Sequence, residues 1–72
     1  MTENEKLKIL AEAMDIEVEE LSEDDNLTQN PAWDSLSVLS FMASVGAKFG
    51  KKLKPAEVQA VVTVRDALNL ME

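Results

Sequence analysis

Near the start of the chain, Leu7, Leu10, Ala11 and Met14 recur at three- and four-residue intervals, which places them on one face of a helix. Thr2 and Glu5 have the spacing of a capping box just before that run, so the pattern predicts a first amphipathic helix over about residues 3–14. The rhythm then stops. Over residues 15–34 only Ile16, Val18, Leu21 and Leu27 stand as spaced apolar anchors, among Glu17, Glu19, Glu20, Glu23, Asp24 and Asp25. This is the pattern of an acidic loop, and at about twenty residues it is longer than compact domains usually hold without purpose.

A second helix is predicted from Ser35 to Phe49, with Gly50 suited to a left-handed C-terminal cap. Val38, Phe41, Met42, Val45 and Phe49 form one apolar face. Leu36, Leu39, Ala43, Gly46 and Ala47 extend it around the other side and leave Ser37, Ser40, Ser44 and Lys48 as a narrow polar strip. A helix this apolar is either the centre of a bundle or one whose second side meets a partner. Gly46 lies inside it, where glycine costs ~1 kcal/mol relative to alanine, and its expected use is the close approach of a neighbouring helix or a partner. Pro55 suits the first position of a short helix over about residues 55–60. The β-branched run Val61-Val62-Thr63-Val64 discourages its continuation, and Thr63 can cap a last helix with Val64, Ala67, Leu68 and Met71 on one face. The expected architecture is all-α: a small four-helix bundle of three principal helices and one short one, with a long loop between the first and second, in one domain over residues 1–72.

Composition narrows what such a bundle can do. The 72 residues allow a single small core, burying roughly 60% of the unfolded chain's surface. There is no cysteine and no histidine. The usual general base at neutral pH, the commonest zinc ligand and the usual partner of a nucleophilic serine are therefore all missing, and an enzyme is not expected. The net charge of −7 argues against a nucleic-acid surface. That charge is uneven, because residues 1–34 carry eleven acids against Lys6 and Lys8 while residues 35–72 carry three acids against five bases. The loop carboxylates lack the ligand spacing and central glycine of an EF-hand, so a solvated acidic loop is expected in place of a calcium site. Lys48, Lys51, Lys52 and Lys54 cluster at the end of the second helix, where cations interact favourably with its dipole. Docking of an acidic partner is the alternative use. With no membrane-length apolar run and no leader of basic start and apolar core, a soluble, cytoplasmic monomer is expected.

The residue that draws attention is Ser35, in the stretch Trp33-Asp34-Ser35-Leu36 that follows Asn30-Pro31. No Gly-x-Ser-x-Gly elbow surrounds it, so it is not a hydrolase nucleophile. Taken alone, Ser35 reads as the N-cap of the second helix. The surrounding pattern, however, resembles that of an acyl carrier protein over nearly the whole chain. Asp34-Ser35-Leu36 opens the second helix, and Leu27 stands as the apolar anchor in the acidic loop before it. Phe49, Pro55 and Thr63-Val64 follow in the order and at the spacing the family shows.

The resemblance implies that Ser35 accepts a 4′-phosphopantetheine group, transferred from coenzyme A by a separate phosphopantetheinyl transferase. A phosphodiester there would sit at a helix N-terminus, where free N–H groups and the dipole favour an anion. The transferase would supply base and metal, and the arm's terminal thiol would supply a thioester function that a chain without cysteine lacks. Asp34 is implied to help the transferase engage, and Leu36 to be an apolar partner contact. Ser37, Ser40, Ala43 and Ala47 take the other partner-facing positions of the helix. Trp33 is expected to pack on the bundle, with a role as a partner's aromatic anchor the alternative. The implied partners are the transferase, an acyl- or aminoacyl-loading ligase or transferase, and downstream synthase enzymes of fatty-acid, polyketide or other specialised-metabolite biosynthesis. D-alanyl-type cargo and an unmodified helical adaptor, with Ser35 only a cap, are the alternatives. Two departures from the family stand out. The second helix has no acid after Asp34, so electrostatic steering is expected from the loop, chiefly Glu17 to Asp25. Pro31-Ala32-Trp33 also replaces a glycine that many members place shortly before the serine.

Overall fold

In the computed structural model, which describes residues 2–71, four α-helices follow one another as α1 (Glu3–Met14), α2 (Ser35–Phe49), α3 (Pro55–Gln59) and α4 (Val64–Asn69). Helix α1 begins as its sequence directs. The Thr2 hydroxyl accepts from the Glu5 N–H at 3.2 Å, and the Glu5 carboxylate accepts from the Thr2 N–H at 3.4 Å, which completes the capping box. Asp15 ends the helix in the left-handed region at φ 57°, its N–H bonded back to Ala11 and Glu12 carbonyls. Gly50 ends α2 at φ 64°, where glycine alone avoids the Cβ penalty. Two of the helices are long and two short, so α4, at six residues, is less than the third principal helix expected. Met71 continues its apolar face in a final turn, held by its N–H on the Leu68 carbonyl at 3.0 Å.

Helix α1 packs against α2 and α4, and α3 packs against α2. Phe41, Leu10, Leu27, Leu68, Met71, Val45, Val58 and Val64 are the largest fully buried side chains, drawn from every helix and from the long loop. Burying a side chain of this size contributes ~1.5–3 kcal/mol before conformational entropy is subtracted.

The loop is more ordered than its sequence suggested. It contains two single 3₁₀ turns, Val18–Glu20 and Leu27–Gln29. The first is closed by the Glu20 carboxylate on the Glu17 N–H at 2.9 Å, the second by the Asn26 side chain on the Thr28 N–H at 2.9 Å. Between α3 and α4 the chain runs alongside this loop and pairs with it: Leu27 N–H to Val62 carbonyl at 2.8 Å, Val64 N–H to Asp25 carbonyl at 3.0 Å, Arg65 N–H to Glu23 carbonyl at 3.0 Å. Buried Leu27 pins the centre of this seam, and the Arg65 guanidinium pairs with Glu3 and Glu23. A loop of this length persists because its backbone groups find partners and its anchors enter the core. At the start of α4, the Asp66 carboxylate accepts from the Thr63 and Val62 N–H groups, both at 3.1 Å. Those bonds hold its pKa below the ordinary 3.8. Among the described residues, no helix is long and apolar enough to cross a membrane.

Candidate functional site

Helix α2 covers the predicted Ser35–Phe49, but its cap is not the residue expected. Asp34, not Ser35, is the N-cap: its Oδ1 accepts from the Ser37 N–H at 3.0 Å. Ser37 reciprocates, its Oγ accepting from the Asp34 N–H at 2.7 Å and donating to the Asp34 carbonyl at 2.9 Å. An acid followed three residues later by a hydroxyl is itself a capping signal, and with both Asp34 and Ser35 able to cap, the reciprocal partner at Ser37 decides the register. Ser35 thereby becomes the first helical residue, exposed, with its hydroxyl outside the capping network.

Being in the first turn, the Ser35 and Leu36 N–H groups have no hydrogen-bond acceptor among the described residues. These are donors that a phosphate oxygen suits. Beside Ser35 an apolar groove of about 370 Å³ runs between α2 and α3, lined also by Val38, Leu39, Met42, Pro55 and Gln59. The residues present therefore fit a serine-linked phosphodiester with an extended organic arm: an unengaged hydroxyl, backbone donors beside it and an adjoining groove.

A family model described as a phosphopantetheine attachment site matches residues 7–71. The chain belongs to that family. Its members hold 4′-phosphopantetheine through a covalent bond and are carriers without catalytic activity of their own, so this chain is a phosphopantetheine-bearing carrier protein. Such carriers interact with phosphopantetheinyl transferases and with synthase enzymes.

The remaining residues singled out from the carrier's sequence divide into two groups. Leu36, Ser40, Ala43 and Ala47 lie exposed along the outer side of α2, with Leu36 75% exposed. Ser37 does not join them. It is 4% exposed and its hydroxyl is committed to the cap, so its expected place on a partner-facing strip is corrected. The polar strip is divided: Ser37 is buried and Ser44 half-buried, Ser40 and Lys48 are exposed, and Leu36 and Leu39 face out beside them. Helical periodicity yields the angular positions of these residues but not which side the neighbouring helices cover. Trp33 is half-buried, its ring 5.9 Å from that of Phe41 in an edge-to-face contact at 70°. A Cβ at Gly46 would meet nothing nearer than the Lys51 carbonyl at 3.8 Å, so no helix of this chain needs the glycine for close approach.

Sequence reasoning did not assign the groove residues Val38, Met42, Pro55 and Gln59 to the site. Their types carry no chemical signal, and only the seating of α3 beside α2 brings them to Ser35.

Proposed function

We propose that Ser35 is the attachment point of the 4′-phosphopantetheine arm and that the carrier presents acyl groups as thioesters to enzymes of fatty-acid, polyketide or other specialised-metabolite biosynthesis in the cytoplasm. The observation that carries this reading is the Ser35 hydroxyl itself, exposed in the first turn of α2, unused by the cap and placed at a groove. When attached, the arm supplies a terminal thiol able to hold a carboxylic acid as a reactive thioester. What this chain does is hold the serine in a rigid turn. Asp34 fixes that turn through Oδ1 and stands beside Ser35 where a transferase approaches, which supports its part in transferase engagement. A phosphodiester on Ser35 would find the unpaired Ser35 and Leu36 N–H groups and the positive end of the α2 dipole beside it, which supports the assignment.

The groove favours acyl over aminoacyl cargo. Val38, Leu39, Met42 and Pro55 present mostly carbon to whatever lies along α2 and α3. Each methylene moved from water onto such a surface is worth up to ~0.8 kcal/mol, whereas a charged amino group would lose solvation there. The unmodified adaptor loses one support, because the cap that Ser35 was to provide belongs to Asp34.

Incubation of the apo chain with coenzyme A and a purified phosphopantetheinyl transferase, followed by intact-mass measurement, tests the assignment. The expected result is a gain of one phosphopantetheine, lost in Ser35→Ala. A gain that persists in that variant, or no gain in the parent chain, overturns it.

A further inference from the structure

The outer side of α2 is covered by nothing within the chain. Leu36, 75% exposed, and Leu39, 64% exposed, stand there with exposed Ser40, Ala43, Gly46 and Ala47, and none of the six is charged. At about 100° per residue these positions span roughly a third of the helix circumference, with Ala43 near the middle. Ala43 also lies next to the midpoint of the Ser35–Phe49 helix, so the face is centred on it along the helix as well as around it.

This face is complementary in size to itself. Turned end for end about Ala43, the helix sets Leu39 against Ala47, Ser40 against Gly46 and Leu36 against Gly50, so each larger side chain meets a small one. Gly46 thereby gains a use that no helix of this chain gives it. Charge follows the same symmetry. Asp34 is exposed at one end of the face, and past the other end come exposed Lys52 and Lys54. The segment that carries them leaves α2 along the rim of the face, with the Lys51 carbonyl 3.8 Å from the place of a Gly46 Cβ. The half-turn that pairs Leu39 with Ala47 also brings Lys52 toward Asp34, whereas a parallel pairing would set Leu36 on Leu36 and Lys52 on Lys52. Glu12 and Lys48 lie off this face, opposed to each other across a hollow on the α1 side, and take no part.

We propose that two copies of this chain pair through α2, antiparallel about a twofold axis at Ala43, and that the pairing shields Ser35. Each copy lays Leu36 and Leu39 on the small residues of the other and brings its Lys52 and Lys54 beside the other's Asp34, which covers the side from which a modifying enzyme reaches Ser35. The shielding, unlike the pairing, rests on Ser35 being the attachment point. One helix laid on one helix is at the small end of specific interfaces, and the net charge of −7 on each copy opposes association, so the pair is weak, with Kd on the order of 100 μM. At much lower concentration the chain is the monomer expected from its sequence.

Because the chain has no cysteine, single introduced cysteines report the register. Antiparallel helices centred on Ala43 put the two copies of that position within the ~7 Å that a disulfide spans, whereas the two copies of Leu39, and of Ala47, stand about 12 Å apart and those of Leu36 about 21 Å. In a glutathione redox buffer, with the chain at about 200 μM, Ala43→Cys is expected to form a covalent dimer at least about tenfold faster than Leu36→Cys. Leu39→Cys mixed with Ala47→Cys is expected to cross-link at least about tenfold faster than either alone. Sedimentation equilibrium of the parent chain is expected to show monomer and dimer. Ala43→Glu, which sets like charges on the axis, and Lys52→Glu with Lys54→Glu are each expected to weaken association at least about fivefold, with circular dichroism verifying the fold. A parent chain that stays monomeric at about 1 mM, equal cross-linking at positions 36, 39 and 43, or association undiminished in either charge variant overturns the pairing. For the shielding, the disulfide-locked Ala43→Cys dimer and the same chain kept reduced are each offered to a purified phosphopantetheinyl transferase with acetyl-coenzyme A, whose blocked thiol leaves the disulfide intact. The locked dimer is expected to gain the acetylated arm at less than about a tenth of the reduced chain's rate, and equal rates overturn the shielding. No gain in either form overturns the attachment reading and the shielding with it, while the cross-links still decide the pairing.

Discussion

Replacing Asp34 separates two duties that its position combines. In Asp34→Ala, the Ser37 N–H loses its 3.0 Å bond to Oδ1, in a residue that is 4% exposed and has little water to turn to. The two bonds made by the Ser37 hydroxyl survive, because their partners are the backbone N–H and carbonyl of residue 34. The loss is therefore one capping bond, ~1 kcal/mol, plus a few tenths from the vanished charge at the α2 N-terminus. For a domain of this size that lowers Tm by about 4–8 °C. Asp34→Asn keeps an oxygen at the cap and forfeits only the charge, so its melting temperature is expected to stay close to that of the parent. Modification of Ser35 is expected to divide the other way. The asparagine variant, although folded, should lose about 10- to 100-fold in kcat/KM with the transferase if the carboxylate engages it through a metal. Thermal melts followed by circular dichroism, with mass-resolved modification kinetics on the same samples, read both duties. An asparagine variant as unstable as the alanine one would show that charge, not the bond, holds the turn. An asparagine variant modified at the parental rate would show that Asp34 serves structure alone.

Other substitutions test burial, backbone geometry and the capping carboxylate of α4. Leu27→Ala empties a fully buried anchor of the loop seam and is expected to cost ~2–5 kcal/mol in urea denaturation, most of the stability of so small a domain; exposed Leu36→Ala should stay within about 0.5 kcal/mol of the parent. Gly46→Ala adds a methyl that meets only the Lys51 carbonyl at 3.8 Å, so it is expected to stabilise α2 by ~0.5–1 kcal/mol. Gly50→Ala, at φ 64°, should destabilise by ~1–2 kcal/mol. The Asp66 carboxylate has its pKa lowered by the Thr63 and Val62 N–H groups, so its contribution to stability is complete above its unfolded pKa and is lost as pH falls through the lower folded value. Asp66→Asn is accordingly expected to flatten the decline of Tm between about pH 5 and about pH 2, and an unchanged decline would remove Asp66 from the acid response.

Much of the architecture was legible because its causes are local. The Thr2 and Glu5 capping box, the period of Leu7, Leu10 and Met14, Gly50 as a stop and Pro55 as a start each act within one or two turns of backbone, and the helices begin and end where those residues direct. The family was legible too, since an ordered set of such local signals spans the chain. What the sequence left undetermined depends on which element lies beside which. It set Leu36 with Ser40, Ala43 and Ala47 away from Phe41 and Val45, as they stand, but could not say that Ser37 would be buried and Leu39 left in water. It showed a long acidic loop but not the seam with residues 62–65 that orders it, because those hydrogen bonds join segments distant along the chain. The groove beside Ser35 arises the same way, from helices meeting in space. The sequence by itself determined four helices, a serine at the start of the second and a chain without catalytic histidine or cysteine. Only the tertiary structure decided that Asp34 caps and Ser35 is left free, and which face of α2 is open, because burial belongs to the packed assembly and no single segment carries it.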